Sequence, residues 1–239
     1  MIHVVKHLLK DFEIHLASAS PRRKTILNHV GLEFTVTPST FDETSLDKKK
    51  FKHPKEFVME CAKQKALNVE KRLNGNQNKR IVIAADTIVV SNGEILEKPH
   101  TKENALLMLT RLNAKTHEVY SGVAMIITDP SNTILTFVVD LSGRRIGKCG
   151  NFVLFHEFFE CTKVEFGDIP PHIIAIYAAS EEPLDKAGAY GIQDNGGTLI
   201  KKINGCFYNV QGFPLYKFCE EVYNCFKVND KNINMFQFL

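Results

Sequence analysis

The chain has 239 residues, 44% of them hydrophobic and 24% charged, with a formal net charge of +3. That length buries a substantial core as one large domain or two small lobes, and the composition is that of an ordinary globular protein. The two signs of charge are interspersed, which argues against the concentrated basic face of a nucleic-acid binder, and no apolar run approaches the roughly 20 residues of a membrane span.

Residues 1–10 are amphipathic and interrupted by His and Lys, unlike a signal peptide or an arginine-rich transit peptide. The apolar residues 14–17 predict a strand, and Ser18-Ala-Ser-Pro-Arg-Arg-Lys24 behind it a turn into a helix. Pro21 suits the first helical position and Ser20 the N-cap. A helix N-terminus already favours an anion, and Arg22 and Arg23 add full charges there, so this segment suggests phosphate capture. Residues 33–38 alternate as a second strand, and a charged loop with Asp42-Glu43 and Asp47-Lys-Lys-Lys50 follows. Over 54–73 the spacing of Phe57, Val58, Cys61, Ala62, Ala66 and Val69 predicts a helix. Lys65 falls on its apolar face, so it either snorkels to solvent or points into a site.

The run 81–85 predicts a strand buried on both faces that breaks at Asp86 and resumes over 88–90. Asn92-Gly93 is a two-residue hairpin turn. Thr101 caps a helix through Ala105, Met108, Leu109 and Leu112. Residues 119–127 and 133–139 read as paired strands around Asp129-Pro-Ser-Asn132. A short helix is expected over 170–179. Pro214 opens a last one with Leu215, Phe218, Cys219, Val222, Tyr223 and Phe226 on one face. The expected organisation is a single domain over 1–228 and a polar, Asn-rich tail over 229–239. The six cysteines show no C-x-x-C pair and no zinc-ligand rhythm with His, so reduced thiols in a cytoplasmic protein are expected. On residue type alone, Asp86 is a ligand-facing acid or a turn residue, Glu43 a surface carboxylate, and Lys98 a loop lysine held extended by Pro99. Gly188, Gly191, Gly196 and Gly197 surround Gln193, whose amide offers a base both a donor and an acceptor.

The segment Leu16-Ala-Ser-Ala-Ser-Pro-Arg-Arg-Lys24 resembles the opening motif of the Maf family of nucleoside triphosphate pyrophosphatases. Further blocks match in the family's order: Ala62-Lys-Gln-Lys-Ala66, Ala85-Asp-Thr87 with Gly93-Glu-Ile-Leu-Glu-Lys-Pro99, Asp185-Lys-Ala-Gly-Ala-Tyr-Gly-Ile-Gln193, and Ile203-Asn-Gly205 with Asn209-Val-Gln-Gly-Phe-Pro-Leu215. The resemblance covers about residues 14–223. It implies an α/β fold in which a mixed twisted sheet with flanking helices forms two lobes around a central cleft. It implies that Asp86 acts as general base and holds a divalent metal, Mg²⁺ or Mn²⁺, together with Glu43. Lys65, Lys98 and Arg22 are then the phosphate clamps. Ser18, Ser20, Arg23, Thr87, Gln193 and Lys186 are placed around the substrate, with capping open for Ser20 and ion pairing open for Arg23 and Lys186.

Arg22, Thr87 and Gln193 together resemble the branch that hydrolyses dTTP and UTP. The branch acting on 7-methyl-GTP carries Glu where Gln193 stands. A neutral amide suits the imide edge of thymine or uracil, and clearance of modified pyrimidine nucleotides is the implied role. The expected partner is a nucleoside triphosphate, with no nucleic acid and no membrane. A homodimer, the 7-methyl-GTP specificity and a non-catalytic nucleotide-binding role stay open. One stretch departs from the family: about fifteen residues, 140–154, precede the strand expected over 158–166. Gly143, Gly147, Gly150 and the basic residues there read as a loop. It is either a genuine surface insertion, which loop-closure entropy tolerates, or a gene-model error.

Overall fold

The computed structural model describes residues 1–73, 75, 78–130 and 152–226. Its strands are β1 (Glu13–Leu16), β2 (Thr35–Val36), β3 (Arg80–Ser91), β4 (Glu94–Leu96), β5 (Thr116–Asp129), β6 (Phe152–Phe166) and β7 (Ile200–Asn204). Its α-helices are α1 (Ile2–Leu9), α2 (Pro21–His29), α3 (Pro54–Arg72), α4 (Lys102–Leu112), α5 (Pro171–Ala178), α6 (Phe207–Gln211) and α7 (Leu215–Phe226). The strands form one mixed sheet in the order β2-β1-β3-β5-β6-β7, with β4 beside β3. β1 runs parallel to β2 and β3, and the other pairings are antiparallel. This is the α/β architecture expected from the sequence. Among the described residues no helix is long and apolar enough to cross a membrane.

β3 organises the core because every position from Arg80 to Ser91 except Thr87 is buried. Its pleat sends alternate side chains to opposite faces. Ile81, Ile83 and Ala85 pack with Val5 and Leu9 of α1, Ile26 and Leu27 of α2 and Phe218 and Val222 of α7. Val82 and Ala84 face Ala62, Ala66 and Val69 of α3. Further along, Val89 joins a separate cluster with Leu109 of α4 and Ile174 and Tyr177 of α5. One strand thus supports two lobes, and residues 86 and 87 stand between them.

The strand expected to break at Asp86 runs straight through it, paired in register with β5 at Asp86↔Gly122. A buried aspartate is tolerated there because its charge is met from α3, as described below. The hairpin at Asn92-Gly93 forms, with φ of 52° and 78° and a Ser91↔Glu94 pair. The strand expected over 33–38 is reduced to two exposed residues. Over 119–127, β5 is bonded to β3 on one edge and β6 on the other. Residues 133–139 themselves lie outside the described residues, as do 140–151 and the tail. The end of the atypical segment is strand and not loop: Phe152, Val153 and Leu154 pair with Asp129, Thr128 and Ile127.

Gly122 is what lets α3 approach the sheet. A Cβ there would lie 2.6 Å from the Val58 carbonyl oxygen and 2.8 Å from the Met59 nitrogen, both helix backbone. Gly122→Ala therefore forces α3 away, and a loss of about 2 kcal/mol in urea unfolding is expected. The other lobe carries a pH-sensitive core. His117 lies against the edges of Phe166 and Tyr190, with Nε2 2.7 Å from the Tyr190 hydroxyl. Burial lowers its pKa from 6.5 to about 4. The unfolded chain then binds more protons between those values, so stability is complete above about pH 6.5 and falls toward pH 4, by about 3 kcal/mol for the full shift. Unfolding titrations across pH 7 to 4 are expected to show this slope, and a His117→Gln variant to lack most of it.

Candidate active site

Asp86 follows Val82 and Ala84 onto the α3 side of β3. There Lys65, on the same helix face as Cys61, Ala62, Ala66 and Val69, is buried and does not snorkel out. Lys65 Nζ lies 2.7 Å from Asp86 Oδ1 and 2.7 Å from Glu43 Oε1. The Lys65 and Asp86 side chains are only 10% and 9% exposed, while Glu43 is 49% exposed. The inner pair is desolvated, so breaking it costs far more than its presence contributes. Glu43 is offered from the solvent side by the 3-10 turn Glu43–Ser45, whose cap Asp42 accepts from the Thr44 N–H at 2.9 Å. Burial, and after it the charge of Asp86, pushes the neighbouring Cys61 thiol far up, which removes it as a nucleophile.

Thr87 points to the opposite face, toward Arg23 of α2. The buried Arg23 guanidinium donates to Gly212 O at 3.0 Å, Ser18 Oγ at 3.0 Å and Thr87 Oγ1 at 3.2 Å. Thr87 Oγ1 also sits 2.9 Å from Ser121 Oγ and 3.2 Å from the Gly212 carbonyl. Gly212 holds φ at +119° at the end of α6, a backbone conformation that favours glycine. Arg23 thus ties α2, β3 and the end of α6 together through neutral acceptors, and not through the ion pair left open from the sequence, while it also lines the cleft. Ser20, expected to cap α2 through its side chain, makes no such bond. Its N–H donates instead to Ser18 Oγ at 3.2 Å.

Arg22 reaches the other lobe. Its Nη1 lies 2.9 Å from Asp185 Oδ2 and its Nη2 3.3 Å from the Asp185 carbonyl oxygen. Lys186 Nζ donates to the same carboxylate at 2.9 Å. Burial alone would raise the Asp185 pKa, but Lys186 and Arg22 outweigh it and hold the carboxyl low. The internal ion pair expected of Asp185-Lys186 is present, and it also draws in Arg22.

Between these groups lies a cleft of about 440 Å³, within the range of small-ligand sites. Of the residues that the resemblance placed at the substrate or metal, all line it except Ser18, which sits behind Arg23; of the glycines around Gln193, Gly191 lines it and Gly188, Gly196 and Gly197 do not. Lys98 lines it from the exposed segment after β4, and Pro99 O accepts from Asn104 Nδ2 at 3.1 Å, bracing that turn. Gln193 lines the far end; its Nε2 donates to Asp194 Oδ2, and its Oε1 is buried without a partner. Among the described residues no three His, Cys, Asp or Glu side chains gather as a ligand set. Glu43 and Asp86, converging on one ammonium, are the oxygen pair that a hard divalent cation would share with phosphate and water.

A sequence profile described as Maf-like protein matches residues 13–225. The chain belongs to the Maf-like family. A relative from Clostridium perfringens (strain SM101 / Type A), named dTTP/UTP pyrophosphatase, is 42% identical over 213 residues, 89% of this chain and 96% of its own. One of the same name from Clostridium tetani is 40% identical over 202 residues, 84% of this chain and 92% of its own. A human protein named "Probable bifunctional dTTP/UTP pyrophosphatase/methyltransferase protein" is 44% identical over 209 residues, 87% of this chain, and this chain spans only 31% of its length. Within the Maf-like frame, sequence reasoning gave no role to Ser121, Asn209 or the Gly212 carbonyl. Asn209 Nδ2 donates to Val119 O and Thr162 Oγ1, both at 3.0 Å, and Ser121 Oγ donates to the Asn209 carbonyl at 3.3 Å. The quoted block Asn209-Val-Gln-Gly was the available signal, but the partners of a buried amide are not written in its own segment.

Lys65→Met leaves Asp86 buried without its counter-charge. A loss of about 3 kcal/mol in urea unfolding is expected. The double variant Lys65→Met/Asp86→Asn is expected to recover more than half of that loss, since the uncompensated charge is then gone.

Proposed function

We propose that this Maf-like chain hydrolyses dTTP and UTP to the nucleoside monophosphate and pyrophosphate. The carrying observation is the buried Lys65 shared by Asp86 and Glu43 at the wall of a cleft that also presents Arg22, Lys98 and Lys186. The names of the clostridial and human relatives support the substrate. The free thiols of the five described cysteines accord with a reducing, cytoplasmic setting.

In this reading the triphosphate lies along the cationic wall, with Lys98, Arg22 and Lys186 facing its phosphate oxygens. Glu43 and Asp86 hold a divalent cation, Mg²⁺ or Mn²⁺, which supplies charge neutralisation at the phosphates when bound. Asp86 takes a proton from the water that attacks the α-phosphorus. The bond between that phosphorus and the α–β bridging oxygen breaks, and pyrophosphate leaves with the electron pair. Lys65 fixes both carboxylates at 2.7 Å, and Lys98 and Arg22 stabilise the charge on the leaving group. At the base end the Gln193 amide faces the imide edge of uracil or thymine, and Ser20 and Thr87 complete the wall between base and phosphates.

Pyrophosphate release from dTTP, UTP, CTP and 7-methyl-GTP, with Mg²⁺ and with EDTA, tests the proposal. Metal-dependent cleavage of dTTP and UTP above the others is expected; a preference for 7-methyl-GTP, or binding without turnover, would overturn it. Asp86→Asn and Lys98→Ala are each expected to lower turnover at least about 10²-fold, the scale of one lost base or one lost electrostatic stabiliser.

A further inference from the structure

The segment carrying Gln193 is held by a carboxylate that lies outside it. Glu182 opens the 3-10 turn Glu182–Asp185 that follows α5. Its Oε1 accepts from the Tyr177 hydroxyl at 2.8 Å and the Gly196 N–H at 2.9 Å. Its Oε2 accepts from the Asn195 N–H at 3.2 Å and Asn195 Nδ2 at 3.0 Å. Four donors from two elements thus meet one side chain. Burial by itself would raise the Glu182 pKa, but the donors of Gly196, Tyr177 and Asn195 outweigh it and hold the group below the usual carboxylate range.

The anchored segment has little room to move. A Cβ on Gly196 would lie 2.5 Å from the Tyr177 hydroxyl and 2.8 Å from the Gly191 nitrogen, and one on Gly197 would lie 2.5 Å from the Ile192 carbonyl oxygen. Gln193 sits inside this knot, two residues before the first anchored amide. A displacement of 195–196 is therefore carried directly into its amide. Glu182 also touches the phosphate side, but by its main chain: its carbonyl oxygen accepts from Lys186 Nζ at 2.7 Å. A side-chain substitution leaves that contact in place and separates the two effects.

We propose that Glu182 is a positioning residue for base selection, fixing residues 191–197 and with them Gln193, without itself meeting the nucleotide. The inference rests on the pyrophosphatase reading above. An amide in place of the carboxylate keeps its size but turns an NH₂ toward donors: one orientation deprives both Asn195 donors of their acceptor, and the other deprives the Gly196 N–H while the Tyr177 hydroxyl reverses to accept.

The test compares wild type, Glu182→Gln and Tyr177→Phe by amide hydrogen exchange over 191–197 and by kcat and KM for dTTP, UTP and CTP. Base selectivity is read a second time as the thermal shift given by dTTP against CTP in EDTA. For Glu182→Gln, exchange at Gly196 at least about 10-fold faster is expected, with KM for dTTP and UTP raised about 10-fold, the size of one lost charge-assisted bond. The preference over CTP shrinks by both readings while kcat falls less than threefold. Tyr177→Phe, which removes one donor of four, is expected to fall between the two, and it carries the test if Glu182→Gln does not fold. Unchanged exchange, faster exchange with unchanged selectivity, or an equal kcat loss for every nucleotide would overturn the proposal. If wild type cleaves none of them, the pyrophosphatase reading fails alone, because exchange and thermal shift still report on the anchor.

Discussion

An ammonium group on the apolar face of a helix must find negative charge or leave the core, and Lys65 finds two carboxylates, each at 2.7 Å. Much of the structure follows from that requirement. α3 must lie close enough to β3 for the contact, which the absent side chain of Gly122 permits. Asp86 can then occupy the middle of an otherwise apolar strand without ending it. The exposed turn that bears Glu43 is drawn to the same cation, so a surface carboxylate becomes the mouth of a buried site. The cluster is electrostatically expensive to build and expensive to break, which suits a function more than it suits stability.

The opposite face of β3 solves its problem with largely neutral chemistry. Arg23 is buried, and burial depresses its pKa against the pull of nearby Asp86. Its guanidinium is met by two hydroxyls and the Gly212 carbonyl. This network ties α2, β3 and the end of α6 together at the level of the cleft. Two cations that line the cleft are ordered by a different device: Asp185 holds Arg22 and Lys186 at once, one from each lobe. On the proposed reading, a triphosphate entering this space would meet charges already oriented, so little reorganisation would oppose the reaction.

Family membership and local geometry contribute different things to the functional reading. The clostridial relatives match along nearly their full length, whereas the human protein extends far beyond the matched region. What this chain shares with all of them is a stretch of 202 to 213 residues. The geometry adds how the residues are held: a glycine under α3, a left-handed glycine behind Arg23, and a four-donor carboxylate behind Gln193.

Much of the fold was legible because local rules are written locally. The 54–73 periodicity, the Asn92-Gly93 turn, Pro21 at a helix start and the amphipathic last helix each formed where their residues indicated. The misreadings fell where partners decide. Asp86 looked like a strand break because a lone acid in an apolar run has no visible counter-charge, and Lys65 is far away in sequence. Residues 119–127 are bonded on both edges to strands, β3 and β6, whose register no local pattern in 119–127 specifies. The sequence by itself determined the elements, the family and the chemical inventory of the cleft, since these depend on short-range pattern and residue type. Only the tertiary structure decided that Lys65 is shared, that Arg23 is met by neutral acceptors and that Asp185 and Glu182 hold the groups around them. Those roles depend on which charges and hydrogen-bond donors are brought within hydrogen-bonding distance of one another, and chain distance carries no information about that.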